Sequence, residues 1–152
     1  MHHCRRASIL AVFVRDYALS LSHLDKTFLA GYIPSMEWEV EYADEFGSWW
    51  DGLSIPEQES VAAKVKLLEE FGPSLPRPHA DVVQSSKHQN MKELRIQHAG
   101  RPYRVLFAFD PRRAAILLLG GDKTGNAHWY EENVPLADEI YDAHLKDIGE
   151  GQ

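Results

Sequence analysis

The sequence predicts an α+β domain: an antiparallel sheet with helices packed on one face and a C-terminal helix. Three patterns carry this. Residues 36–42 alternate acid and apolar, residues 44–71 space their apolar side chains three and four apart, and residues 94–119 form apolar runs separated by two turns.

The first strand is the run from Met36 to Tyr42, with Trp38, Val40 and Tyr42 on one face and Glu37, Glu39 and Glu41 on the other. Period two with one polar face predicts a half-buried strand. A helical stretch follows, marked by Phe46, Trp49 and Trp50. Ser54-Ile55-Pro56-Glu57 then places a serine N-cap three residues before a glutamate, a capping box, with proline in the first turn where its missing N–H is harmless. Val61, Val65 and Leu68 make the apolar stripe of that helix, which ends before Gly72-Pro73, and Pro73 to Pro78 reads as a connector.

The second half reads as a meander of two hairpins. Leu94 to His98 alternates, Gly100 and Pro102 mark a turn, and Tyr103, Val105, Phe107 and Phe109 share one face of the next strand. Asp110-Pro111-Arg112-Arg113 is a second turn, and Ala114 to Leu119 is apolar on both faces, as a central strand requires. Leu136, Ile140 and Ala143 or His144 suggest the last helix. One domain accounts for residues 36–152. Residues 1–35 read as an N-terminal extension with Met36 available as an alternative start; a helix over residues 9–24 packed on the domain is the other reading, and the sequence leaves both open.

Composition narrows the chemistry. Of 152 residues, 44% are hydrophobic, enough for a single core and not a disordered composition. A lone cysteine, Cys4, rules out an internal disulfide and a cysteine-rich zinc site. The apolar stretch at Ile9–Val14 is too short to span a membrane and is interrupted by Arg15 and Asp16, so neither a signal peptide nor a membrane partner is expected, and the cytoplasm is the expected compartment. The net charge is -7, but it is unevenly spread. Residues 77–113 hold eight Lys/Arg against three acids, whereas residues 37–71 hold ten acids against two lysines. A basic middle flanked by acidic ends suits an anionic ligand.

Strand parity then gathers candidate site residues. If Leu94 and Ile96 face the helices, Glu93 and Arg95 face away; if Tyr103, Val105 and Phe107 face the helices, so does Arg104 face away. Two guanidinium groups and a carboxylate would share the open face of the sheet. Gly120-Gly121-Asp122-Lys123-Thr124 follows the central strand and leads to His128, Trp129 and Tyr130, bringing a cation, an imidazole and a phenol to one end of the sheet. The glycine spacing does not fit a nucleoside-triphosphate loop, and the histidines show no metal-ligand spacing, so neither metal nor cofactor is expected.

The blocks Lys87-His-Gln-Asn-Met-Lys-Glu-Leu-Arg95, Tyr103-Arg-Val-Leu-Phe-Ala-Phe-Asp110 and Ala115-Ile-Leu-Leu-Leu-Gly-Gly-Asp-Lys-Thr124 resemble the RelE/HigB toxin superfamily of type II toxin–antitoxin systems, in particular its phage-derived branch. The resemblance covers roughly Trp38 to Leu145. It implies a RelE-like microbial ribonuclease fold, a toxin that cleaves mRNA at the ribosome, and a helix-turn-helix antitoxin as partner. Arg104 matches the family's strand arginine, Lys123 a basic position after the last strand, and Tyr130 a C-terminal aromatic. In a metal-independent ribonuclease the RNA's own 2′-hydroxyl attacks, so the site needs a base, a phosphate-binding cation and an acid. The expected catalytic set is Arg104 on the phosphate, Glu93 or His88 as base and Lys123 as acid or clamp, with Lys87, Lys92, Arg95, His128 and Tyr130 binding RNA. A RelE-like protein that binds a partner without cutting is the competing reading.

Overall fold

A computed structural model of the chain describes residues 4–5 and 37–150. Six strands form one sheet: β1 (Cys4–Arg5), β2 (Val40–Ala43), β3 (Ala80–Val82), β4 (Met91–His98), β5 (Arg101–Phe109) and β6 (Ala115–Asp122). Three helices accompany them: α1 (Asp44–Asp51), α2 (Ile55–Phe71) and α3 (Trp129–Glu150). The spatial order is β1-β2-β6-β5-β4-β3. The helix expected over residues 9–24 lies outside the described residues.

The two expected hairpins are present, β4 with β5 and β5 with β6, both antiparallel. Two pairings depart from the expectation. β2 runs parallel to β6, with Tyr42 opposite Leu117. A short strand that the sequence did not signal, β3, follows the proline-rich connector and pairs with β4. The parallel pair explains why β6 is apolar on both faces: it lies between β2 and β5, with helices above and below.

α2 begins as its sequence signal requires. Ser54 Oγ accepts from the Glu57 amide at 3.3 Å, and Glu57 Oε1 accepts from the Ser54 amide at 2.9 Å. Its buried side chains Val61, Val65 and Leu68 pack with Phe46 and Trp50 of α1 on Leu94, Ile96, Tyr103, Val105 and Phe107 of the sheet. α3 covers the other face through Val134, Ala137, Ile140 and Tyr141, against Met91, Leu106, Ala108, Ile116 and Leu118. Of the expected stripe, Ile140 and His144 are buried, whereas Leu136 is an exposed side chain. Because α3 roofs this second face, β2 is not half-buried: Glu41 is 3% exposed.

One irregularity matters for the site. The β5–β6 register slips between Leu106 and Phe107, which pair with Leu119 and Leu117. The bulge leaves Leu118 as an extra residue and resets which face the following residues occupy. Gly120 then lies under the Trp49 ring of α1, and Gly121, opposite Arg104, lies under the Trp129 indole at the start of α3.

Candidate functional site

Arg95 and Arg104 are direct cross-strand partners on β4 and β5, and Glu93 precedes Arg95 by two residues on the same face. The parity argument placed them on an open face; α3 covers the inner part of it. Glu93 is 3% exposed and Arg104 9%, so both are buried, whereas the Arg95 side chain is 36% exposed. Burial obliges each charge to find a partner. Glu93 Oε1 accepts from Arg95 Nε at 3.0 Å, and Glu93 Oε2 lies 3.8 Å from Arg104 Nε. Arg104 Nε also donates to the Tyr130 hydroxyl at 3.3 Å, and its Nη1 donates to the Tyr103 carbonyl at 3.0 Å.

Tyr130 sits in the first turn of α3, packed edge-on against Trp129. Burial, and then the nearby Glu93 carboxylate, raises its pKa, so the phenol keeps its proton at neutral pH. Lys123 Nζ stands 5.4 Å from the centre of the Tyr130 ring. Arg104, Glu93, Arg95, Tyr130 and Lys123 thus form one constellation at the start of α3, with two guanidinium groups, an ammonium, a phenol and one buried carboxylate.

The other expected residues lie elsewhere. His88 Nε2 bonds Asp142 Oδ1 at 2.8 Å and its ring meets Tyr141 edge-on at 4.8 Å. Tyr141 follows Tyr130 by eleven residues on α3, a separation of about 16 Å along a helix. The structure therefore does not bring His88 to Arg104. Lys87 is bonded to the same Asp142, which lowers the Asp142 pKa, and the two residues with Ser86 fasten the β3–β4 loop to α3. Lys92 points to the opposite face, donating to the Pro73 carbonyl at 3.3 Å and lying over Phe109. His128 is exposed at the loop preceding α3 and bonds Glu131 at 3.1 Å.

Two further clusters were not read from the sequence. Under α3, Asp110 accepts from Arg112 Nη2 at 2.7 Å and pairs with His144 Nε2 at 2.9 Å, while Arg112 Nη2 donates to Glu41 at 2.6 Å. Burial alone would raise Asp110, but the His144 and Arg112 hydrogen bonds outweigh it and hold the carboxyl low. Glu41, Asp110 and His144 bring ligand-type atoms within 4.8 Å of one another, the separation a metal ion needs. The Arg112 guanidinium bonds both carboxylates and already supplies the positive charge there. On the α2 face, a cleft of about 390 Å³ is lined by Trp49, Glu57, Arg101, Tyr103 and Asp122. In it the Tyr103 hydroxyl donates to Glu57 at 2.5 Å. That bond, with the Ser54 contacts, holds Glu57 down at about 2; burial, and then Glu57, pushes Tyr103 up to about 12. The sequence signals the first cluster only as the Asp110-Pro-Arg-Arg turn and part of the basic middle, and Glu57 only as a cap.

Comparison with known proteins agrees with the sequence resemblance. The family described as "Phage derived protein Gp49-like (DUF891)" matches residues 48–142. A Mycobacterium tuberculosis (strain ATCC 25618 / H37Rv) protein named "Putative toxin HigB2" is 43% identical over 113 residues, 73% of this chain and 56% of that protein. A second from the same organism, "Putative toxin HigB3", is 52% identical over 92 residues, 60% of this chain and 79% of that protein. The chain thus spans little more than half the length of the first relative. No solved structure matches. The matched segment runs from Ser48 of α1 to Asp142 of α3 and contains every member of the Arg104 constellation, and on that evidence the chain belongs to the Gp49-like family of phage-derived proteins, HigB-like in sequence.

Proposed function

We propose that this protein is the toxin of a toxin–antitoxin pair and a metal-independent endoribonuclease that cleaves mRNA at the ribosome. The observation that supports it best is the Arg104 guanidinium, fixed between Glu93 and Tyr130 with Lys123 over the phenol. This arrangement offers what RNA self-cleavage lacks in water: a pre-oriented cation for the phosphate and groups that move protons beside it.

In this reading the RNA 2′-hydroxyl attacks phosphorus while Arg104 and Lys123 stabilise the charge that develops on the phosphate oxygens. Glu93 is too buried to meet the 2′-hydroxyl directly. It acts through Tyr130: the phenol oxygen takes the 2′-hydroxyl proton as its own proton passes to Glu93. Lys123, half-buried at the rim, gives a proton to the leaving 5′-oxygen. The P–O5′ bond breaks, leaving a 2′,3′-cyclic phosphate and a 5′-hydroxyl. Arg95 binds a neighbouring phosphate, and the adjacent gene product, a helix-turn-helix antitoxin, covers this face.

The test is cleavage of a reporter mRNA by purified protein in a ribosome-dependent translation system, with end-group analysis. Wild type should generate 5′-hydroxyl ends, EDTA added after ribosome assembly to chelate excess free metal should not prevent cutting, and Lys123→Ala should cut slowly. Loss of a single charge-stabilising donor lowers rate by about 10²–10³. Intact mRNA with folded wild-type protein would overturn the enzymatic assignment, and co-purification with the antitoxin would then leave the partner-binding reading standing.

A further inference from the structure

Three guanidinium groups follow one another from the part of the sheet face that α3 covers to the part it leaves open. Arg104 on β5 is 11% exposed at its side chain, Arg95 on β4 is 36% exposed, and Arg77, just before β3, is 75% exposed. The exposure rises from the buried centre to the β3 edge of the sheet. Two carboxylates lie between the three cations. Glu93 pairs with Arg104 and Arg95. Asp81 Oδ2 accepts from Arg95 Nη2 at 3.0 Å and lies 2.9 Å from Arg77 Nη2, so one oxygen holds both groups side by side.

The hydrogen bonds leave the outward edges of these cations unused. Arg95 gives Nε to Glu93 and Nη2 to Asp81, which leaves the Nη1 donors facing away from the carboxylates. Arg77 is held through one terminal nitrogen. The Asp81 pKa is lowered, first by Arg77, so the clamp stays charged at neutral pH. An exposed ion pair contributes little to stability. A ladder of them on one face is better explained by the geometry it imposes: long, entropic arginine side chains are fixed in advance for a planar anion.

We infer that the RNA backbone crosses the strands of the sheet, from Arg104 over Arg95 to Arg77, with successive phosphates on successive guanidinium groups and Asp81 as the residue that positions the last two. The inference rests on the ribonuclease reading for the identity of the strand. It adds a direction, towards the β3 edge, and a phosphate-binding residue, Arg77, that lies outside the constellation at the start of α3.

Two measurements test it on the full-length protein. The first is fluorescence anisotropy with a short single-stranded DNA of mixed sequence, which lacks the attacking 2′-hydroxyl and is not cut, titrated over a range of salt. Arg77→Ala should weaken binding and lower the slope of log K against log salt by about 0.7, the loss of one phosphate contact. Arg113→Ala removes the same charge from the far turn, where Arg113 packs on Trp38, and should leave the slope unchanged. Asp81→Asn should weaken binding although it adds a net positive charge. The second is ribosome-dependent cleavage, where Arg77→Ala should raise KM with kcat unchanged. Equal effects of Arg77→Ala and Arg113→Ala, or tighter binding by Asp81→Asn, overturn the track, because only total charge would then matter. If wild type leaves mRNA intact yet binding still depends on Arg77 and not Arg113, the ribonuclease reading falls and the track stands.

Discussion

Arg104→Ala is the most informative perturbation, because folding and chemistry meet at this residue. Strand parity alone suggests an outward arginine whose removal is harmless. The structure shows a buried one, with Glu93 beside it at 3% exposure. Removing one partner of a buried ion pair costs about 3–5 kcal/mol, since the remaining charge loses its compensation. Here the Arg104–Glu93 separation is long, 3.8 Å, and Arg95 still holds the carboxylate at 3.0 Å. The expected loss is therefore below that range, about 2 kcal/mol. With a urea m-value of about 2 kcal/mol/M for a domain of this size, the unfolding midpoint should fall by about 1 M. The double variant Glu93→Gln/Arg104→Met removes both charges and should recover most of the loss, giving a clearly non-additive cycle. Arg104→Lys keeps the charge but not the planar pair of donors, and should remain folded while cutting mRNA slowly. A midpoint for Arg104→Ala equal to wild type, or additive single and double variants, would refute the buried coupling. Wild-type cleavage by Arg104→Lys would refute the role assigned to the guanidinium.

Gly120→Ala should destabilise by about 1–3 kcal/mol in chemical unfolding, because a Cβ there would lie 2.3 Å from the Trp49 ring. Gly121→Ala meets Trp129 Nε1 at 2.7 Å and should reduce cleavage through the adjoining Tyr130, read against an unfolding midpoint for the same variant. Glu57 has its folded pKa lowered from 4.5 to about 2, so its contribution to stability is complete above pH 4.5 and is lost as pH falls towards 2. Tyr103→Phe, which removes the largest cause of that shift, should flatten this limb in acid unfolding followed by tryptophan fluorescence. A chain beginning at Met36 lacks β1, a two-residue edge strand beside β2, and should still fold cooperatively with a thermal midpoint near that of the longer chain; insolubility or a much lower midpoint would show that residues 1–35 carry part of the stability.

The elements legible in the sequence are those whose signals are local. The capping box at Ser54, the alternation of β4 and β5 and the turns at Gly100 and Asp110 need only near neighbours. The missing features are set by distant ones. Nothing in Glu39-Val40-Glu41-Tyr42 announces that α3, some ninety residues on, will roof the acidic side of that strand. The same alternation holds the exposed Glu39 and the buried, partnered Glu41. Glu41 is tolerated in the interior because Arg112 bonds it, and Arg112 is brought there by the β5–β6 turn. β3 was hidden for a related reason. Ala80-Asp81-Val82 is too short and too mixed to carry a period, and pairing with the long β4 makes it a strand.

The site was legible as far as parity reaches, and its limits are those of parity. Alternation placed Glu93, Arg95 and Arg104 on one face, and they are together. It could not say that the face is half covered, which buries Glu93 and sets the Tyr130 hydroxyl beside Arg104. Nor could it anticipate the bulge at Leu118, which sets Gly121 beneath Trp129 and so fixes where Tyr130 begins its helix. The far end of α3 is tied down by Asp110, Arg112 and His144, and by Asp142 holding Lys87 and His88. His88 and Lys87 both bond Asp142, at one end of the helix whose other end carries the phenol. On this account His88→Gln should lower thermal stability while leaving the kcat of any cleavage near wild type. A selective loss of kcat without loss of stability would return His88 to the chemistry.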